Sequence, residues 1–158
     1  MVHERVDGYY DMDRSIPVIS LKAFAERKAE IQQQLVEAAE TAGFFTLEDH
    51  GLFIQDIEAQ FQIARNFFDL LYETKQQASP FEKTKNTGYE YKGQIRPSTG
   101  KADEKESIQL QLIRKDYNWP NLSNIPDFKS ATAEFMNKCH TIAMQVCELF
   151  LSFLSKRR

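Results

Sequence analysis

The chain is poor in several residue types, and each scarcity narrows what it can be. Only two of its 158 residues are cysteine and only three are histidine. Cys139 and Cys147 fall in a segment whose apolar spacing predicts one helix, which sets them about 12 Å apart along its axis. A disulfide needs Cα atoms within about 7 Å, so two free thiols are expected, as suits a reducing, cytoplasmic setting. None of His3, His50 and His140 begins a His-x-Asp or His-x-Glu pair, and Cys-x-x-Cys and His-Glu-x-x-His are missing. The motifs therefore predict no metal ligand and no catalytic residue. Charge of one sign is scarce as well: 20 basic against 23 acidic residues leave a net charge of −3, which argues against a nucleic-acid partner. The densest apolar run, Leu149 to Leu154, is far short of the ~18 residues of a membrane span. Met1 to Arg14 mixes both charges and has no secretory apolar core.

What is present is a pattern of short strands and amphipathic helices. Ile16-Pro17-Val18-Ile19-Ser20-Leu21 is β-branched and led by proline, as at a strand start. Phe24, Ile31, Leu35, Ala38 and Ala42 then recur at helical spacing, and Gly43 stands where a helix-ending glycine belongs. Phe44 to Leu47 reads as a buried strand and Glu48 to Gly51 as a turn. Ile54, Ile57, Phe61, Ala64, Phe68 and Leu71 predict a second helix with those residues on its buried face. From Gln76 to about Asp103, where Pro80, Gly88, Gly93, Pro97 and Gly100 cluster, the pattern predicts a long loop. Ser107 to Leu112 alternates as a half-buried strand does. Pro126-Asp127 opens a last helix whose stripe runs through Phe128, Ala131, Phe135, Cys139, Ile142, Val146, Leu149 and Phe153. Three helices and three separated strands make an α+β chain that looks short of partner structure.

The local motifs carry little chemistry. Ser98-Thr99-Gly100-Lys101-Ala102 imitates the end of a phosphate-binding loop, but Ile95 replaces its first glycine and Ala102 its magnesium-binding hydroxyl. Cys139 and His140 are helix neighbours that point in different directions. Arg96 has the geometry to clamp a carboxylate, and Tyr89 and Tyr91 flank it with rings and hydroxyls.

The ordered pieces resemble the N-terminal region of isopenicillin N synthase-like non-haem iron, 2-oxoglutarate-dependent dioxygenases. They are Ile16 to Leu21, Ala42-Gly43-Phe44-Phe45, His50-Gly51, Phe67-Phe68, Gly88-Tyr89, Asp103 to Ser107, and Trp119-Pro120 leading to Pro126-Asp127-Phe128. Arg96 to Gly100 looks most like fungal members. The resemblance implies a double-stranded β-helix enzyme in which a His-x-Asp, a distal His and an Arg-x-Ser hold Fe(II) and 2-oxoglutarate. All of these lie beyond the matched region. Arg96-Pro97-Ser98 spells Arg-x-Ser upstream of where the iron ligands fall, and is not assigned that role. Asp49 replaces the family's usual Asn before His-Gly. Asn86-Thr87 replaces the arginine that contacts substrate in isopenicillin N synthase.

The expectation is a tail over residues 1–15 and a dioxygenase N-terminal-like domain over 16–158, without the catalytic barrel. Such a chain binds neither cofactor by itself and is inactive alone. A complete form would oxidise a small molecule by hydroxylation, desaturation or ring closure, with Tyr89, Tyr91 and Arg96 at the pocket mouth. The alternatives are half of a split dioxygenase, with a barrel-supplying partner chain, and a non-catalytic interaction module.

Overall fold

The computed structural model describes residues 15–93, 95, 97–112 and 119–156. Among them the order is β1 (Val18–Ser20), α1 (Lys28–Thr41), β2 (Thr46–Glu48), α2 (Ile54–Phe68), α3 (Tyr72–Ala78), β3 (Gly88–Tyr91), β4 (Glu106–Gln109) and α4 (Phe128–Lys156). The elements fall into two compact units. One comprises residues up to Gly51 together with those from Ile142 onward, and the other runs from Leu52 to Thr141.

The first unit is a βαβ crossover. β1 and β2 pair in parallel, Ile19 opposite Leu47, and parallel strands require a long connection, which α1 supplies. Arg27 precedes that helix and braces its start, with Nη2 2.7 Å from Glu30 Oε1 and Nη1 donating to Lys22 O at 2.9 Å. Gly43 ends it at φ +75°, a left-handed conformation that glycine adopts without strain, and its N–H returns to Ala38 O at 2.9 Å. The core is aliphatic: Ile19, Leu21, Ile31, Leu35 and Ala38 close against Val146 and Leu149 of α4. Gln32 Nε2 donates to Leu149 O at 2.5 Å, fixing α1 against the helix.

The second unit joins α2, α3, the first half of α4 and an antiparallel pair, β3 with β4, Tyr89 opposite Ile108. Its core is aromatic, with Phe67, Tyr89 and Phe128 buried among Leu122 and Ile125. The Phe67 ring meets those of Phe68, Tyr89 and Phe128 at centroid distances of 5.2, 5.9 and 5.5 Å. Asp56 and Gln60 of α2 reach Lys138 and Thr132 of α4 at 3.0 and 3.3 Å.

Four expectations need correction. The run Phe44 to Leu47, read as a buried strand, is a strand only from Thr46, and Phe44 is exposed. A fourth helix, α3, follows α2 after a three-residue break. The stretch from Gln76 to Asp103 is not one loop, because Gly88–Tyr91 forms a strand inside it. The face of α2 is also rotated from the sequence reading. Phe61, Ile54 and Leu71 are exposed, whereas Phe67, absent from the inferred stripe, is fully buried. With Phe67 and Phe68 adjacent, spacing alone cannot decide which ring turns inward.

Candidate functional site

The polar chemistry of the second unit gathers where α3 meets β3 and β4. Lys75 is almost wholly buried. Its Nζ donates to Phe68 O at 2.7 Å and to Glu106 Oε2 at 2.7 Å. The Tyr89 hydroxyl donates to the same Glu106 oxygen at 2.5 Å, and Lys75 Nζ sits 5.2 Å from the Tyr89 ring centroid. One carboxylate oxygen thus ties helix to sheet through two donors. This satisfies an ammonium that is costly to bury unpaired.

Backbone geometry sets the position of Tyr89. Gly88 lies at φ +102°, and a Cβ built there would collide with the Pro80 carbonyl. Only glycine lets the chain pass this close. The next residue can then donate its N–H to Ser79 O at 2.7 Å.

The environment shifts both titrating groups in directions that follow from these contacts. Burial, reinforced by the hydrogen bond to Glu106, pushes the Tyr89 phenol well above its ordinary range. Burial also opposes the charge on Glu106, but the hydrogen bonds from Lys75 and Tyr89 outweigh it and hold the carboxyl below its usual value. The phenol stays protonated and the carboxylate charged at neutral pH.

Beside this node is an open groove of about 260 Å³, lined by Tyr72, Gln76, Pro80, Phe81, Tyr89, Glu90 and Tyr91. Tyr72 makes edge contacts with Tyr89 and Tyr91 at 6.2 and 5.5 Å. Tyr91 is half exposed, and Lys92 Nζ lies 5.2 Å from its ring centroid while pairing with Glu104 at 2.7 Å. The groove combines tyrosine rings, which offer faces for stacking, with the polar side chains of Gln76 and Glu90.

The structure therefore brings Tyr89 and Tyr91 together, one as a buried anchor and one as an accessible ring. Arg96 lies outside the described residues. Lys75, Glu106 and Tyr72 were missed by sequence reasoning. Their signal was a Tyr-x-x-Lys pair on one helical face and a glutamate opening an alternating strand, each too common to single out. The Asp49 departure is conformationally mild: the residue stands at φ +53°, where Asn and Asp are tolerated, and accepts from Ser20 Oγ at 2.5 Å.

The described residues do not fit a bound iron. Among the described residues no three His, Cys, Asp or Glu side chains are grouped to hold a metal ion, and both described cysteines are free thiols. No helix among these residues is long and apolar enough to cross a membrane.

The βαβ crossover, the short strand pairs and the long last helix, with no closed barrel among the described residues, match the N-terminal portion of a 2-oxoglutarate oxygenase fold. Residues 16–128 match the family described as non-haem dioxygenase in morphine synthesis N-terminal, and the chain belongs to that family. It is 28% identical over 130 residues to the 2-oxoglutarate-Fe(II) type oxidoreductase ppzD of Metarhizium rileyi, covering 72% of this chain and 37% of that one. It is 27% identical over 156 residues to the 2-oxoglutarate-dependent dioxygenase traH of Penicillium crustosum, covering 87% and 48%. Among solved structures, a full-length Neurospora crassa protein in complex with alpha-KG superposes with a TM-score of 0.72 at 24% identity, covering 85% of this chain and 45% of that one. A putative 2OG-Fe(II) oxygenase family protein from Caulobacter crescentus gives 0.70 at 26% identity, covering 89% and 49%. The chain thus spans about half or less of the length of the relatives it matches.

Proposed function

We propose that these residues are the N-terminal part of an Fe(II)- and 2-oxoglutarate-dependent oxidoreductase that acts on a small molecule by hydroxylation, desaturation or ring closure. The observation that carries the reading is the family match over residues 16–128, set beside relatives about twice as long. In this reading the iron and 2-oxoglutarate ligands belong to the second half that those relatives carry. Residues 1–158 alone bind neither group stoichiometrically and turn nothing over. Their part is to brace the substrate end of the site. The Lys75–Glu106–Tyr89 node fixes β3 and β4, with Tyr91 at the pocket mouth. A cytoplasmic location fits the two free thiols.

Isothermal titration of the purified chain with Fe(II) and 2-oxoglutarate, together with a succinate assay, tests this. The expected result is no stoichiometric Fe(II) binding and no succinate above the protein-free control. Succinate formed in proportion to the chain would overturn it.

A further inference from the structure

Two ion pairs bracket the tyrosine-lined groove of the second unit. Lys75 Nζ lies 5.2 Å from the Tyr89 ring centroid and is neutralised by Glu106 at 2.7 Å. Lys92 Nζ lies 5.2 Å from the Tyr91 centroid and is neutralised by Glu104 at 2.7 Å. Each strand ring thus holds an ammonium over one face, the contact that an aromatic quadrupole favours. Tyr72 of α3 stands against both rings, inclined by 62° to Tyr89 and by 61° to Tyr91, and it is 42% exposed. Among the described residues no lysine or arginine is seated over Tyr72. The one charged side chain in the groove's described lining is an anion, Glu90.

We propose that this groove binds an organic cation, the alkylated ammonium head of a small molecule, with Tyr72 as the ring that receives it. Three inclined tyrosine rings present electron-rich faces to one space, which suits a positive charge that is bulky and weakly hydrated. The two lysines do not repel it strongly, because each is paired with its own carboxylate. Alternation along β3 turns the Glu90 side chain away from the rings, so its charge attracts from across the strand rather than by contact. An anion meets the opposite conditions on every count. The volume of about 260 Å³ falls below the roughly 300–1,000 Å³ of pockets for drug-sized ligands, so the groove suits a headgroup rather than a peptide. The assignment uses only residues of the second unit and does not depend on the functional reading above.

The test titrates residues 1–158 with choline and, separately, with its neutral isostere 3,3-dimethylbutan-1-ol, at constant ionic strength. The ring protons of Tyr72 and Tyr91 are followed by NMR. Choline is expected to saturate with a Kd on the order of millimolar. The neutral alcohol should bind about tenfold more weakly, since it keeps the shape and loses the charge. Tyr72→Leu should abolish saturable choline binding while holding Tm within about 2 °C of the parent, because that side chain is partly exposed. Tyr72→Phe, which keeps the ring, should bind within about threefold of the parent. Glu90→Gln should weaken binding about two- to threefold. Equal binding of the two probes would overturn the proposal in favour of a merely apolar groove. Shifts that fail to saturate, or choline binding that survives Tyr72→Leu, would overturn it as well. Should Tyr72→Leu lower Tm sharply, the comparison of choline with the alcohol on the parent chain decides by itself.

Discussion

The two units reach a buried core by different physical routes. The first is aliphatic and dry, its interior made of Ile19, Leu21, Ile31, Leu35, Ala38, Val146 and Leu149. Its stabilisation is hydrophobic transfer and packing, which carry no proton dependence. Its charged contacts, such as Arg27 with Glu30, are at the surface, where ion pairs contribute little. The second unit is aromatic and holds an ionised node, with Lys75, Glu106 and Tyr89 sharing one carboxylate oxygen. The contribution of that node depends on its protonation states. The unit with the aliphatic core holds the βαβ crossover, and the unit with the ionised node holds the ring-lined groove.

The strongest way to break this contrast is to empty each core in turn. Phe67→Ala should cost about 3–5 kcal/mol, because Phe67 is fully buried against three other rings. Leu35→Ala in the aliphatic core should cost about 2–5 kcal/mol. Denaturant titration followed by tyrosine fluorescence and by far-UV circular dichroism measures both. If Phe67→Ala proved nearly neutral, the second unit would not be built around that ring.

A smaller perturbation sharpens the comparison. Glu106→Gln leaves the Lys75 ammonium with Phe68 O as its remaining strong acceptor. The expected loss is about 1–3 kcal/mol, moderated because the Glu106 side chain is one-third exposed. Lys75→Met should cost less, since the exposed side of Glu106 can be hydrated and the Tyr89 hydroxyl still donates to it. Equal costs for the two variants, measured by chemical denaturation, would contradict the assignment of the ammonium as the more deeply buried partner.

The gentlest test is pH. The Glu106 carboxyl is held below its ordinary value of 4.5, so its contribution is complete above pH 4.5 and fades as pH falls through the folded value. The Tyr89 phenol is held above its ordinary 10.0, so its contribution is complete below pH 10.0 and is lost as pH rises through the folded value. Stability should have a broad neutral plateau with shoulders on both sides. In Glu106→Gln the acid shoulder should shrink, and an unchanged acid limb would show that other carboxylates set it.

The same contrast governs what could be read from the amino-acid sequence. The aliphatic unit was legible because its cues are local and redundant. Ile31, Leu35 and Ala38 lie at helical spacing, Gly43 ends the helix, and the β-branched run at Val18–Ser20 is a strand. The aromatic unit was less so. β3 is four residues long and begins on a glycine, and it is a strand because β4, many residues away, supplies its hydrogen bonds. Consecutive aromatics at Phe67-Phe68 made the inward face of α2 ambiguous. Of the candidate site, Tyr89 and Tyr91 were visible beside a conspicuous Gly-Tyr pair. Lys75 and Glu106 were not, because a buried ion pair leaves no periodic mark.

Native-state hydrogen exchange, resolved by residue and normalised to intrinsic rates, compares the two routes within one molecule. Protection at Ile31, Leu35 and Ala38 should be unchanged as the pH is lowered from neutral, while protection at Tyr89 and Ile108 falls once Glu106 takes up its proton, below its ordinary range. Equal loss of protection in both sets, or earlier loss in α1, would contradict the claim that one core is dry and the other rests on charge.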